Sequence, residues 1–247
     1  MKLALVAVVV MAVHARPAHA NSACAGEVGW SPQRDDELPP RAHLVYWANR
    51  RGADDPKTLV ATIDGKVVAV KQKTIDAAPY KLTLIEIDSD RTGKLSLGWK
   101  AATDGYGRDV GPVTYTVKAK VSYAKEATAT TRRYHHKIPH STVREVFDGL
   151  AITVDTPAIR AHVKLRRDAQ APWSEIDSPL TEADGRTIRI GELGCTRNYS
   201  PSLLENGVDL DVDLTLADGS HVHVKDLAHV VLPKLAKPAG SNPWDSE

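Results

Sequence analysis

Phenylalanine is almost absent from this chain: Phe147 is the only one, and aromatic residues make up 5% of the total. A core must therefore be assembled from valine, leucine, isoleucine and alanine, with a few Trp and Tyr side chains. Cysteine is nearly as scarce. Cys24 and Cys195 are the only two, so at most one intramolecular bridge can form. Neither sign of charge prevails, with 32 Lys and Arg against 31 acids. That balance gives no electrostatic reason to bind nucleic acid or an anionic membrane surface. Beyond Ala20 no apolar run is long enough to span a bilayer, so no transmembrane segment is expected. Enzymatic signatures are missing as well. There is no Gly-x-Ser-x-Gly elbow, no His-Glu-x-x-His, no phosphate-binding glycine loop and no cofactor motif. A convergent catalytic site needs geometry and not sequence order, so this absence does not remove every enzyme.

What is present begins with a leader. Met1 and Lys2 give a short positive start, residues 3–13 are an unbroken apolar run, and Ala18-His19-Ala20 supplies a small-x-small cleavage site. This is the pattern of a secretory signal peptide over residues 1–20, with Asn21 as the mature N-terminus. An exported protein works outside the reducing cytoplasm, in the periplasm or beyond it, including the cell surface. Two thiols in such a compartment are expected to pair. A Cys24–Cys195 bridge would close a loop of roughly 170 residues and constrain the unfolded state by about 5 kcal/mol on the chain-entropy model. Asn21, three before Cys24, is not the aliphatic residue of a lipoprotein signal. Abundant Ala, Arg, Asp and Pro with scarce Asn hint at a high-GC bacterial source.

Alternation at period two dominates the mature chain, and it predicts an all-β protein. Runs 59–63 and 66–70 flank Asp64-Gly65, a dipeptide suited to a type I′ turn that would pair Ala61 with Val68 and Leu59 with Val70. Runs at 43–47, 80–87, 95–99 and 113–121 extend the set. Residues 124–133 carry no large apolar side chain and read as the start of a linker. Residues 142–150 fit a helix, with a capping box at Thr142 to Glu145 and Val143, Phe147 and Leu150 on one face, or, as favoured, a strand leading into 151–154; 159–165 and 187–190 alternate as well. The clearest element is 208–216. Val208, Leu210, Val212, Leu214 and Leu216 share one face; Asp209, Asp211, Asp213 and Thr215 share the other. Residues 220–225 return with Val222 and Val224 on the apolar side. Parity decides the connection. A two-residue turn would set Leu216 opposite His221 and join unlike faces, whereas a three-residue turn at Ala217-Asp218-Gly219 sets Leu214 opposite Val222. The longer turn also places Asp213 opposite His223 and Asp211 opposite Lys225.

Ser31-Pro32, Glu37-Leu38-Pro39-Pro40, Ile63-Asp64-Gly65-Lys66 and Lys94-Leu95-Ser96-Leu97 give the first half a resemblance to a bacterial immunoglobulin-like domain. Gly191-Glu192-Leu193-Gly194-Cys195 and Leu216-Ala217-Asp218-Gly219-Ser220 make the second half similar to the last strands of secreted fibronectin-like or immunoglobulin-like modules. The resemblance implies two antiparallel immunoglobulin-like sandwiches in tandem. One covers 21–123 and the other 141–235, with a linker at 124–140 and a disordered tail at 236–247. It implies no catalytic residues.

Candidate chemistry is confined to a few polar clusters. His221 and His223 point the same way on one strand, about 7 Å apart, with Asp213 as a cross-strand carboxylate; together they could hold a metal ion. His135, His136 and His140 form a second histidine group able to take Cu(II), Ni(II) or Zn(II). Asp88 to Gly93 opens like a calcium loop, but Trp99 stands where the bidentate acid is needed, so a turn is expected. Trp99, Asp104, Tyr106 and Arg108 mark a glycine-rich contact loop. The expected function is an exported binding or structural module whose partner, a protein or another envelope component, the sequence does not name. A metal-binding periplasmic protein and a hydrolase with an unrecognised site are the alternatives. Intact mass of the exported chain tests the leader and the bridge together. It should start at Asn21 and weigh two hydrogens less than the reduced form; an uncleaved leader would refute the export reading.

Overall fold

The computed structural model describes residues 28–33, 36–49, 59–77, 80–99, 112–137, 146–180, 185–193, 196–197, 204–225, 227 and 229–233. The expected leader, Cys24, Cys195, Asp104, Tyr106, Arg108, His140 and the tail at 236–247 lie outside the described residues, as do the side chains of His135 and His136. No helix among the described residues is long and apolar enough to cross a membrane.

The fold is all-β, with two eight-stranded sheets. The first half contributes β1 (Val28–Ser31), β2 (Glu37–Leu38), β3 (His43–Asn49), β4 (Leu59–Ile63), β5 (Lys66–Ala77), β6 (Tyr80–Asp88), β7 (Gly93–Trp99) and β8 (Val113–Val117). Their order is β1-β3-β6-β5-β4-β7-β8-β2. The second half contributes β9 (Ala127–Lys137), β10 (Val146–Val154), β11 (Arg160–Arg166), β12 (Ser174–Pro179), β13 (Thr187–Leu193), β14 (Thr196–Arg197), β15 (Asp209–Thr215) and β16 (His221–Lys225). Their order is β12-β11-β15-β16-β9-β10-β13-β14.

One long strand joins two ladders in each half. Lys66 to Val68 of β5 pair with β4, and the strand then changes partner, so that Ala69 to Ala77 pair with β6. β9 does the same. Ala127 and Thr128 pair parallel with β16, while the residues from Ala129 onward pair antiparallel with β10. The other parallel pair is β2 with β8. The turn before β5 follows from its sequence. Asp64 and Gly65 have φ of 48° and 75°, the left-handed pair that a type I′ turn demands.

The apolar faces define two cores. The first gathers Leu44, Leu82, Ile85, Leu95, Leu97 and Tyr115. The second gathers Ile152, Val163, Leu165, Ile188, Val212 and Leu214. Both touch at the junction, where Tyr123 packs against each and Ile159 from the second half enters the first core. The amide of His43 donates to the Ala217 carbonyl at 2.7 Å, and Ser31 Oγ donates to the Leu180 carbonyl at 3.0 Å.

Several expectations need correction. Residues 127–137 form a strand, although they lie inside the expected linker at 124–140. Alanines and threonines suffice there because half of the β9 residues with described side chains are exposed and threonine is a good strand former. The expected Leu59–Val70 pair is not in the ladder, because β5 has already moved to β6. β8 ends at Val117 and not at 121. The polar strand β12 and the short β1, β2 and β14 gave no periodic signal. Trp99 is not a loop contact. It ends β7 at 8% exposure, stacked on Trp30 at 4.9 Å and edge-on to Tyr46 at 4.3 Å.

This packing makes a testable contrast. Trp99→Ala should lower unfolding free energy by about 3–5 kcal/mol. Val67→Ala, at a position 76% exposed, should change it by no more than about 0.5 kcal/mol. Urea midpoints of the two variants measure the difference.

Candidate functional site

The outward face of β12, β11, β15 and β16 carries charge in stripes. β11, β15 and β16 alternate strictly, so every second residue of these three strands faces outward. The antiparallel register sets His162 beside Asp177 on one side and Asp213 on the other, and Lys164 beside Glu175 and Asp211. Basic β11 thus lies between acidic rows. Close polar contacts line this face. Arg166 Nε meets Asp209 at 3.0 Å, His162 Nδ1 meets Asp177 at 3.3 Å, and Lys225 Nζ meets Glu126 at 3.0 Å.

The three-residue turn forms as parity requires. Leu216 donates its amide to the Ser220 carbonyl at 2.9 Å, and Gly219 takes the left-handed position with φ of 82°. Asp213 consequently faces His223, and Leu214 faces Val222. The His223 ring nitrogen Nδ1 lies 3.1 Å from Asp213 and 3.5 Å from Asp211. His221 does not join them, since its Nδ1 pairs with Thr215 Oγ1 at 3.4 Å. Asp211 takes the third place, which the residue pattern gave to His221. The pattern placed Asp211 against Lys225, whose ammonium goes to Glu126 instead.

Two cavities open where the halves meet. One of about 300 Å3 has Leu44, Leu84 and Ile85 among its lining, with His43, Lys71 and His221. The hairpin tip closes in on it, as a Cβ on Gly219 would stand 2.8 Å from His43 Nε2. In this cavity Lys71 Nζ donates to Glu86 at 2.8 Å. That bond holds the ammonium above its ordinary range and the carboxylate below its own. Both shifts favour the charged, resting forms. A nucleophilic lysine or a general-acid glutamate needs the opposite. The second cavity, about 340 Å3, is lined by Asp36, Tyr123, Asp155 and Ala217. The Tyr123 hydroxyl is buried there without a hydrogen-bond partner. Burial pushes its ionisation well above the usual tyrosine range, and Asp218 and Asp36 add to it.

No family model and no curated protein matches this chain. Among solved structures it is similar to the pullulanase of Anoxybacillus sp. LM18-11, crystallised in complex with maltotriose. That likeness has 9% identity and a TM-score of 0.27, over 85% of this chain and 30% of the pullulanase chain. So distant a likeness carries no argument.

Asp155 offers a pH test of how β9 is held. Its carboxylate accepts from the Thr128 hydroxyl at 2.8 Å and from the Thr128 amide at 3.0 Å. These bonds lower its folded pKa. A depressed folded value adds stability that is present above the unfolded pKa, near 4, and is lost as pH falls through the folded value. Asp155→Asn should therefore be less stable than the parent at neutral pH and lose less on acidification below about pH 4. Urea midpoints at the two pH values decide it, and parallel losses in both proteins would refute it.

Proposed function

We propose that this chain is an exported protein of two tandem immunoglobulin-like β-sandwiches, acting as a binding or structural module with no chemistry of its own. The strand pairing supports the sandwich reading. Each half has two ladders bridged by one partner-changing strand, and each has an early strand running parallel to its last one, β2 with β8 and β9 with β16. On this reading the second sandwich begins at β9. The connection between the two is short and packed, because Tyr123 contacts both cores.

The observation that carries the functional reading is the state of the charged groups at the junction. Lys71 and Glu86 neutralise each other and are shifted away from reactive forms. What the junction offers is direct packing between the two halves, and surfaces so packed can grip or space a partner. Export through the leader at 1–20 places that work outside the cytoplasm. A hydrolase reading draws no support from these groups.

Complementation tests the reading. In a native-host strain lacking the chain, Lys71→Met combined with Glu86→Gln should restore function in full. A chain with a flexible Gly-Ser segment inserted between Lys118 and Tyr123 should not, even where circular dichroism shows both sheets intact. Loss with the double variant and rescue by the insertion would reverse the conclusion.

A further inference from the structure

Three donor atoms converge on the outward face of β15 and β16. His223 Nδ1 stands 3.1 Å from Asp213 Oδ1 and 3.5 Å from Asp211 Oδ1. One such atom from each residue lies within 4.8 Å of the other two. We propose that Asp211, Asp213 and His223 form a binding site for a divalent transition-metal ion, with Zn(II) as its simplest probe and water completing the coordination. This goes beyond the binding-module reading and does not depend on it.

The spacing supports the site. Zinc bonds of about 2.0–2.2 Å to imidazole nitrogen and carboxylate oxygen put neighbouring tetrahedral donors roughly 3.3–3.5 Å apart. The two histidine–aspartate distances already span that range, so an ion could enter without moving a strand. At present His223 Nδ1 is hydrogen-bonded to Asp213 at 3.1 Å, with the Asp211 carboxylate 3.5 Å away. A cation would take the place of that proton, and the nitrogen would become a ligand.

Charge and rigidity point the same way. Asp211 and Asp213 sit on one face of one strand, and two carboxylates beside a neutral imidazole match a divalent charge. β15 is paired on both sides, with β11 and β16, so its backbone is fixed. Donors carried on strands hold their geometry better than donors on loops. Lys225 is drawn off, because its ammonium is held by Glu126 at 3.0 Å. Lys164 lies opposite Asp211 in register on β11 and sets a limit on affinity. The mixed nitrogen and oxygen set favours Zn(II), Cu(II) or Ni(II) over calcium or magnesium, which prefer oxygen alone. The His223 side chain is 60% exposed, which leaves its ion open to solvent ligands.

Calorimetric titration with zinc chloride tests the proposal on the full processed chain. His135, His136 and His140 are first changed to Ala, so that they cannot compete. One ion should bind. His223→Ala and Asp213→Asn should each weaken binding by at least about tenfold. His221→Ala should change it by less than about twofold, because that ring turns to Thr215 and not to the site. Circular dichroism establishes that each variant stays folded, and zinc-induced shifts of the His223 ring protons give a second readout in the unmutated chain. No uptake, or uptake that survives both His223→Ala and Asp213→Asn, overturns the proposal.

Discussion

The register of β15 against its two neighbours governs most of what this molecule presents. With Leu214 opposite Val222 and Val163 opposite Val212, the apolar residues of three strands point into one core. A slip of one residue would send every aspartate of β15 inward and every valine out, because side chains alternate at period two. Burying several unpaired carboxylates would overwhelm the few kcal/mol by which a domain is stable. The same register carries the turn at Ala217-Asp218-Gly219 to the junction, where the Ala217 carbonyl meets His43. It also brings Asp213 to His223. Core, junction and polar face are consequences of one alignment.

The junction gives the alignment functional weight. Two sheets that each bury their own apolar face could have been joined by a solvated tether. Here Tyr123 is wedged between both cores, and Ser31 and His43 reach backbone carbonyls of the other half. The wedge carries a penalty, since its buried hydroxyl has no partner and such groups are unfavourable by about 1–3 kcal/mol. The contacts around it therefore outweigh that term. Charged groups at the same place are paired at the surface, where they contribute little to stability but fix local geometry.

Much of this architecture was legible in the residues. Asp64-Gly65 announces its turn, and the parity of 208–216 against 220–225 selects the three-residue connection from sequence alone. What stayed hidden has physical causes. β9 reads as a linker because alanine and threonine satisfy a half-exposed strand without the large side chains that mark a core. β12 is polar along most of its length and pairs only at a sheet edge. The change of partner in β5 leaves no mark in a one-dimensional pattern, because both ladders accept the same alternation. Trp99 looked like a contact residue because a glycine-rich segment follows it, yet its ring closes an aromatic cluster. At the polar cluster, His223 and Asp213 were legible from register. Asp211 was not assigned there, because its displacement from Lys225 depends on Glu126, far away in sequence.

Nuclear magnetic resonance reaches the central alignment directly. Cross-strand Overhauser contacts should link Asp213 with His223 and Leu214 with Val222, with Gly219 in a left-handed conformation. Contacts between Leu216 and His221 across a two-residue turn would contradict the account, and the core, the junction and the polar face derived from it would fall together.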